Sequence, residues 1–460
     1  MQFPRPAAFR SKFQLVLSCK SRPSSSPTHL ASVLQARLGQ PRKMSTVSFR
    51  LSKSIESTSL PPIPQAYEWS EAYKATPGRP LLDMSQGVPG IPPPQSLLDA
   101  LAAASSDPGS CGYVPNAGEP SLRDAVVQEM KVAYGPDTDV TRNDVSITAG
   151  CNLAFSAVAM TVAGRGDEVV LPVPWYFNHE MTLTMLGIKP VWLRTFPEDG
   201  FQPSVSECAK LITPATRAIV LVTPNNPTGA IYEPGLIHSF AALAYENKLP
   251  LIIDETYRDF IVGGPPHHLF SSGHVPQLPQ SWNWRQTLIH LFSFSKSYCI
   301  PGHRLGLVVS SPSISPALNT ALDNTQICAP RPAQRALAPL LPSLRPFVRG
   351  CALAVQARHI LFKDSLPKRW HIGSQGAYYA FVRHPFKGLD ASDVCKRLAQ
   401  EIGVICLPAG FFGPRQGGKA EGEMGRWIRF SVANVDDEKV KKVCERLGEC
   451  ETAFGWELDE

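Results

Sequence analysis

Three apolar runs each break off into a polar loop, and this pattern constrains the chain more than any other. Leu288-Ile289-His290-Leu291-Phe292 runs into Ser293-Phe294-Ser295-Lys296-Ser297, with Pro301-Gly302-His303-Arg304-Leu305-Gly306 close behind. Residues 218–223 lead into Pro224-Asn225-Asn226-Pro227-Thr228-Gly229, and residues 249–254 end on Asp254 ahead of Glu255-Thr256-Tyr257. Short apolar runs bounded by Pro, Gly, Asn and Ser read as buried strands ending in turns. In open α/β sheets, the loops at the carboxyl ends of strands are where ligands bind.

The chemistry of these loops is specific. A desolvated lysine gives up its proton more readily and can attack a carbonyl, which suits Lys296. Ser293, Ser295 and Arg304 suit a phosphate, the arginine through its planar fork of donors. A lysine beside a phosphate site suggests a Schiff base to pyridoxal phosphate. Asp254 is a carboxylate at a buried strand end, which costs several kcal/mol unless a cation pairs with it. A protonated pyridine nitrogen is such a cation, and the pairing makes the ring an electron sink. Asn226 and Tyr257 could hydrogen-bond the ring's phenolate oxygen. Alone, each segment reads as a surface loop, a turn or a helix cap. Together they supply a base, an anchor and a phosphate clamp.

Asn226-Pro227-Thr228-Gly229, Asp254-x-x-Tyr257 and Ser293-x-Ser-Lys296 with Pro301-Gly302-x-Arg304-x-Gly306, in this order, resemble the class I/II aminotransferases of pyridoxal-phosphate fold type I. The likeness runs from about residue 81 to about residue 434. It implies that Lys296 is the Schiff-base lysine and proton shuttle, and that Asp254 meets the ring nitrogen. Asn226 and Tyr257 then hold the ring oxygen, while Ser293, Ser295 and Arg304 hold the phosphate. Ala149-Gly150-Cys151-Asn152 lies between a strand at 144–148 and a helix at 153–162. A helix N-terminus favours an anion, and the resemblance puts Gly150, Cys151 and Asn152 at the phosphate.

After a strand at 168–172, Pro174-Trp175-Tyr176-Phe177-Asn178-His179 matches the segment that lays an aromatic over the ring. Register points to Tyr176, with Trp175 as the alternative. Tyr113, in Tyr113-Val114-Pro115-Asn116-Ala117-Gly118, matches a tyrosine that reaches the neighbouring subunit's phosphate, which implies a homodimer. Arg429 matches the clamp for the substrate α-carboxylate, with Arg426 as its rival, and Gly87 matches a segment that closes over the substrate. The reaction implied is transfer of an amino group from an L-amino acid to a 2-oxo acid by ping-pong kinetics. Lyases of the same fold share these residues. A noncatalytic sensor domain fits less well, because Lys296 and Asp254 are retained.

Composition agrees. The chain has 460 residues, 43% of them hydrophobic, enough for a large core. The resemblance implies an α/β architecture: a large domain at 96–329 with a mainly parallel seven-stranded sheet, and a smaller α/β domain at 330–460 joined by an arm at 56–95. The Pro-rich stretch 329–346 reads as the passage between them. The net charge of +6 is local, because residues 1–55 hold ten Lys/Arg and no acid. The remainder, with 35 basic and 39 acidic residues, carries no nucleic-acid signature. The basic, Ser/Arg-rich start resembles a mitochondrial presequence, whereas initiation at Met44 would give a cytosolic form. No apolar run is long enough for a membrane helix. HExxH and CxxC are absent, so no metal site is expected. The eleven scattered cysteines read as free thiols.

Overall fold

A computed structural model describes residues 48–416, 419–420 and 422–459. The basic segment and its targeting reading fall mostly outside the described residues. No described helix is long and apolar enough to cross a membrane.

The seven-stranded sheet is present. From one edge its strands are Val145–Thr148, Gly306–Val309, Leu288–Ser293, Leu251–Asp254, Thr216–Val222, Glu168–Val173 and Lys189–Arg194. Gly306–Val309 runs antiparallel to both of its neighbours, and the other pairings are parallel. The central strands are mainly apolar because each face is covered. Ile219, Leu221, Leu251, Ile253, Leu288 and Phe292 fill one core with the helices Pro120–Tyr134 and Pro234–Glu246. Ala218, Val220, Ile252, Ile289 and Leu291 fill the other with Cys151–Val162 and Ser315–Thr325. This alternation is the two-residue period of a strand.

The Pro-rich stretch is helical, forming Arg331–Leu337 and the start of Leu341–Ser365. Pro332 and Pro342 sit in first turns, where a missing N–H costs little; Pro346 lies inside the longer helix. Ala333, Leu337, Leu344 and Val348 pack into the core of the large sheet.

A second sheet is antiparallel, in the order Leu407–Pro408, Trp427–Ser431, Tyr379–Arg383, His371–Gly376. One face, with Ala380, Val382, Ile428 and Phe430, packs on the helix Asp437–Ala453 through Val440, Val443 and Leu447. Period two therefore turns Phe381, Trp427 and Arg429 to the opposite face, where Phe381 and Trp427 join the core of the large sheet. The short strand Leu82–Asp83 pairs in parallel with Val404–Ile405, bringing Ser85 and Gly87 close to Arg429.

Glu255, next to Asp254, is fully buried with His267 and His290. Its Oε2 accepts a hydrogen bond from Tyr134 and lies 3.2 Å from His290 Nε2 and 3.3 Å from His267 Nε2. Burial opposes the charge, but the two histidines outweigh it and hold the carboxyl well below its usual range. A carboxyl depressed in the fold stabilises it above the unfolded value of about 4.3, and that stability is lost as pH falls. Glu255→Gln is expected to lower stability at neutral pH by about 3 kcal/mol and to flatten the acid limb of the stability curve. Urea unfolding from pH 7 down to pH 3 checks this; an unchanged midpoint and slope would refute it.

Candidate active site

Strand register builds the site. Val222 pairs with Asp254 and Asp254 with Leu291, while Ser293 pairs with Gly306. The carboxyl ends of three adjacent parallel strands therefore stop at similar levels, and their loops open on one side. The Ser293–Lys296 segment is not an open loop. Ser293 caps a four-residue helix, Phe294–Ser297, by accepting from Ser295 N at 3.2 Å. This turn fixes Lys296 against the cleft floor. A cavity of about 290 Å³ results, and Arg429 lines it from the second sheet.

Lys296 is partly buried and lines the cavity. Burial, with the charges of Arg429 and Arg304, lowers its pKa to about 8. Its Nζ donates to Gly87 O. Asp254 behaves oppositely. Burial disfavours its charge, yet hydrogen bonds and charge from His179, with donors from Thr256, bring its pKa below the usual value. His179 Nε2 lies 3.2 Å from Oδ2, and Thr256 N and Oγ1 donate to Oδ1 at 3.0 and 2.7 Å. His179 is itself stacked on Phe155 at 3.9 Å between centroids.

Arg429 is 1% exposed and has no acidic partner among the described residues. Nη1 donates to Asn226 Oδ1 at 2.9 Å, Nη2 donates to Ser85 O, and Nε has no hydrogen-bond partner among the described residues. A buried guanidinium with free donors suits a planar carboxylate.

Most residues singled out from the sequence line this cavity: Gly87, Cys151, Asn152, Tyr176, Asn226, Asp254, Tyr257, Ser293, Ser295, Lys296, Arg304 and Arg429. Gly150 caps the helix Cys151–Val162 at φ 90°, and a Cβ there would collide with the Arg304 guanidinium. The two alternatives read from the sequence do not line the cavity. Arg426 pairs with Asp459 at 2.8 Å, away from the cavity. Trp175 packs near Trp192 rather than lining it. Tyr113 is not brought to the cavity, and 80% of it is exposed.

The motifs assign no role to His179, Thr256, Ile63, Val88, Phe177 or Tyr379. His179 had a signal, since a buried acid needs a partner and a histidine follows Tyr176 by three residues. The apolar wall of Ile63, Val88 and Phe177 had none.

The residues fit a phosphorylated aldehyde. The helix N-terminus at Cys151 and Asn152 lines the cavity with Ser293, Ser295 and Arg304, and only a residue without a side chain at position 150 lets the Arg304 guanidinium lie there. Asp254 retains acceptor capacity on Oδ2 for a second donor. Free of cofactor, Lys296 is expected to react with trinitrobenzenesulfonate with a rate that rises through a midpoint near pH 8. Below that pH it is an ammonium; above it, a nucleophile. Peptide mapping of the labelled protein across pH measures this, and a midpoint near the ordinary 10.5 would refute it.

Comparison with known proteins agrees with the geometry. The sequence model of the family Aminotransferase class I and II matches residues 79–447. An aromatic aminotransferase of Arabidopsis thaliana is 26% identical, over 80% of this chain and 88% of its own length. Aromatic-amino-acid aminotransferase 2 of Thermococcus litoralis is 27% identical, over 80% and 94%. Among solved structures, the aromatic aminotransferase of Pyrococcus horikoshii superposes with a TM-score of 0.73 at 25% identity, over 85% of this chain and 99% of that one. Thermus thermophilus aspartate aminotransferase with maleate, 24% identical, shares the fold with a TM-score of 0.75, over 87% and 99%. The architecture is that of fold type I, and the chain belongs to the class I and II aminotransferases.

Proposed function

We propose that this aminotransferase uses pyridoxal 5'-phosphate held by Lys296, with a bulky apolar or aromatic amino acid as donor. The observation that carries the reading is the pairing of opposite tunings in one cavity. The pKa of Lys296 is brought down to about 8 while that of Asp254 is held below its usual value. When bound, the cofactor supplies an electron sink next to the amino-bearing carbon.

The chain's own groups then have definite roles. Asp254, braced by His179 and Thr256, keeps a proton at the pyridine nitrogen. Asn226 and Tyr257 orient the ring oxygen, Tyr176 covers a ring face, and Gly150, Cys151, Asn152, Ser293, Ser295 and Arg304 hold the phosphate. Arg429 takes the substrate carboxylate and so aims the Cα proton. Lys296, as a neutral amine, takes that proton and returns it, a general-base role suited to a pKa near the working pH. Gln86, Gly87 and Val88 line the cavity, and Gly87 O accepts from Lys296 Nζ.

The donor class follows from the wall. Ile63, Val88, Phe177 and Tyr379 line the cavity, and its only lysine or arginine side chains among the described residues are Lys296, Arg304 and Arg429. No further cation among them stands ready for a distal carboxylate. The names of the Arabidopsis and Thermococcus relatives agree with this reading; relatives named aspartate aminotransferase also occur. We further propose a homodimer in which Tyr113 reaches the partner's phosphate site, supported by an aromatic side chain left so exposed in one chain.

Phenylalanine or tyrosine with pyruvate, an acceptor with no distal carboxylate, is expected to yield alanine and the matching 2-oxo acid, faster than aspartate does. Release of ammonia without alanine would overturn the transaminase assignment. Lys296→Ala should lose turnover by several powers of ten, because nucleophile and base vanish together. Mixed dimers of Lys296→Ala with Tyr113→Ala should regain activity through one intact site, whereas Lys296→Ala with Arg429→Ala should not. Equal behaviour of the two mixtures after proven subunit exchange would refute the role of Tyr113 across the interface.

A further inference from the structure

Tyr379 stands where three parts of the site meet. Its hydroxyl lies 2.6 Å from the Tyr257 hydroxyl, and both side chains are buried. The Arg429 guanidinium sits over its ring at 4.6 Å from the centroid. On the third side is Gly87, where any Cβ would collide with the Tyr379 hydroxyl. Gly87 O also accepts from Lys296 Nζ. One side chain thus touches the ring-oxygen tyrosine, the carboxylate clamp and the segment over Lys296.

We propose that Tyr379 is a positioning residue that donates its hydroxyl proton to Tyr257, so that the proton of Tyr257 points at the cofactor's ring oxygen. This rests on the assignment of Tyr257 under Proposed function. A phenol donates one hydrogen bond and accepts others. If Tyr257 spent its only proton on Tyr379, it would have none for an anionic ring oxygen. The charge beside the pair favours the other direction. Tyr379 lies under the Arg429 guanidinium, which acts on it more strongly than on Tyr257 and makes its proton the more readily shared. A Tyr257 that accepts from Tyr379 is also a stronger donor, because consecutive hydrogen bonds polarise one another. The ring of Tyr379 does something separate, serving as the shelf on which the guanidinium of Arg429 lies.

Two substitutions separate hydroxyl from ring. Tyr379→Phe removes only the hydroxyl; Tyr379→Leu removes the shelf as well. The readout is the pH midpoint of the bound cofactor's absorbance band in the purified holoenzyme. A ring oxygen given a weaker hydrogen bond keeps more negative charge and holds the neighbouring proton to higher pH. Tyr379→Phe is therefore expected to raise the midpoint by about half a unit, in the same direction as Tyr257→Phe and by less. The double variant should move no further than Tyr257→Phe alone. Tyr379→Leu should add a several-fold rise in KM for the donor that Tyr379→Phe lacks. A midpoint unchanged in Tyr379→Phe while Tyr257→Phe shifts it would overturn the proposal and leave the earlier assignment standing. A midpoint unmoved in Tyr257→Phe would overturn that assignment and this one with it. Loss of packing alone would weaken cofactor retention without moving the midpoint, and would also count against the proposal.

Discussion

The site depends on a carboxylate kept charged although it is buried. Asp254 ends a central strand, and burial alone would drive it to the neutral form. His179 and Thr256 reverse that outcome, and each is placed by a different element. Thr256 follows Asp254 by two residues, so its donors are local. His179 comes from the helix Phe177–Leu186 and is held flat by Phe155 of the helix Cys151–Val162. The packing of two helices on one face of the sheet therefore sets the charge of one oxygen pair.

The opposite tuning of Lys296 follows from the same enclosure. Burial that Asp254 must overcome is what lowers the lysine, and Arg429 and Arg304 add to it. The two arginines differ in their own setting. Arg304 is exposed at the mouth, in a left-handed conformation at φ 52° beside Gly150. Arg429 is buried and held by neutral acceptors, Asn226 Oδ1 and Ser85 O. An acidic partner for Arg429 would compete with an incoming carboxylate; neutral ones orient it and leave its charge available.

The second sheet reaches the cleft through its strand alternation. Ile428 and Phe430 face the helix Asp437–Ala453, so Arg429 must face the large sheet. The same rule places Tyr379 and its hydroxyl contact with Tyr257, linking the sheets at the level of the cavity floor. The buried Glu255 group lies immediately behind Asp254, so the charge that stabilises the fold and the charge assigned to catalysis occupy neighbouring residues.

Much of this was legible in the residues. Apolar runs ending in turn residues located the strands of the site, because a strand covered on both faces is apolar throughout and its ends need polar, turn-forming chemistry. The identities at those ends named Lys296, Asp254, Asn226 and Arg304 as candidates. Element ends were less legible. The helix expected from residue 153 begins at Cys151, and the loop expected at Ser293 coils into a short helix. Local pattern does not show whether a polar side chain will cap its own backbone. What only the tertiary structure decided were pairings between residues far apart in the chain: His179 with Asp254, Tyr379 with Tyr257, Asp459 with Arg426 instead of Arg429. Sequence by itself determines which groups a segment offers, since backbone preference and hydrophobic period act over a few residues. Which of them meet, and in which state of charge, is set by how helices and sheets pack, because burial and electrostatic coupling act through space.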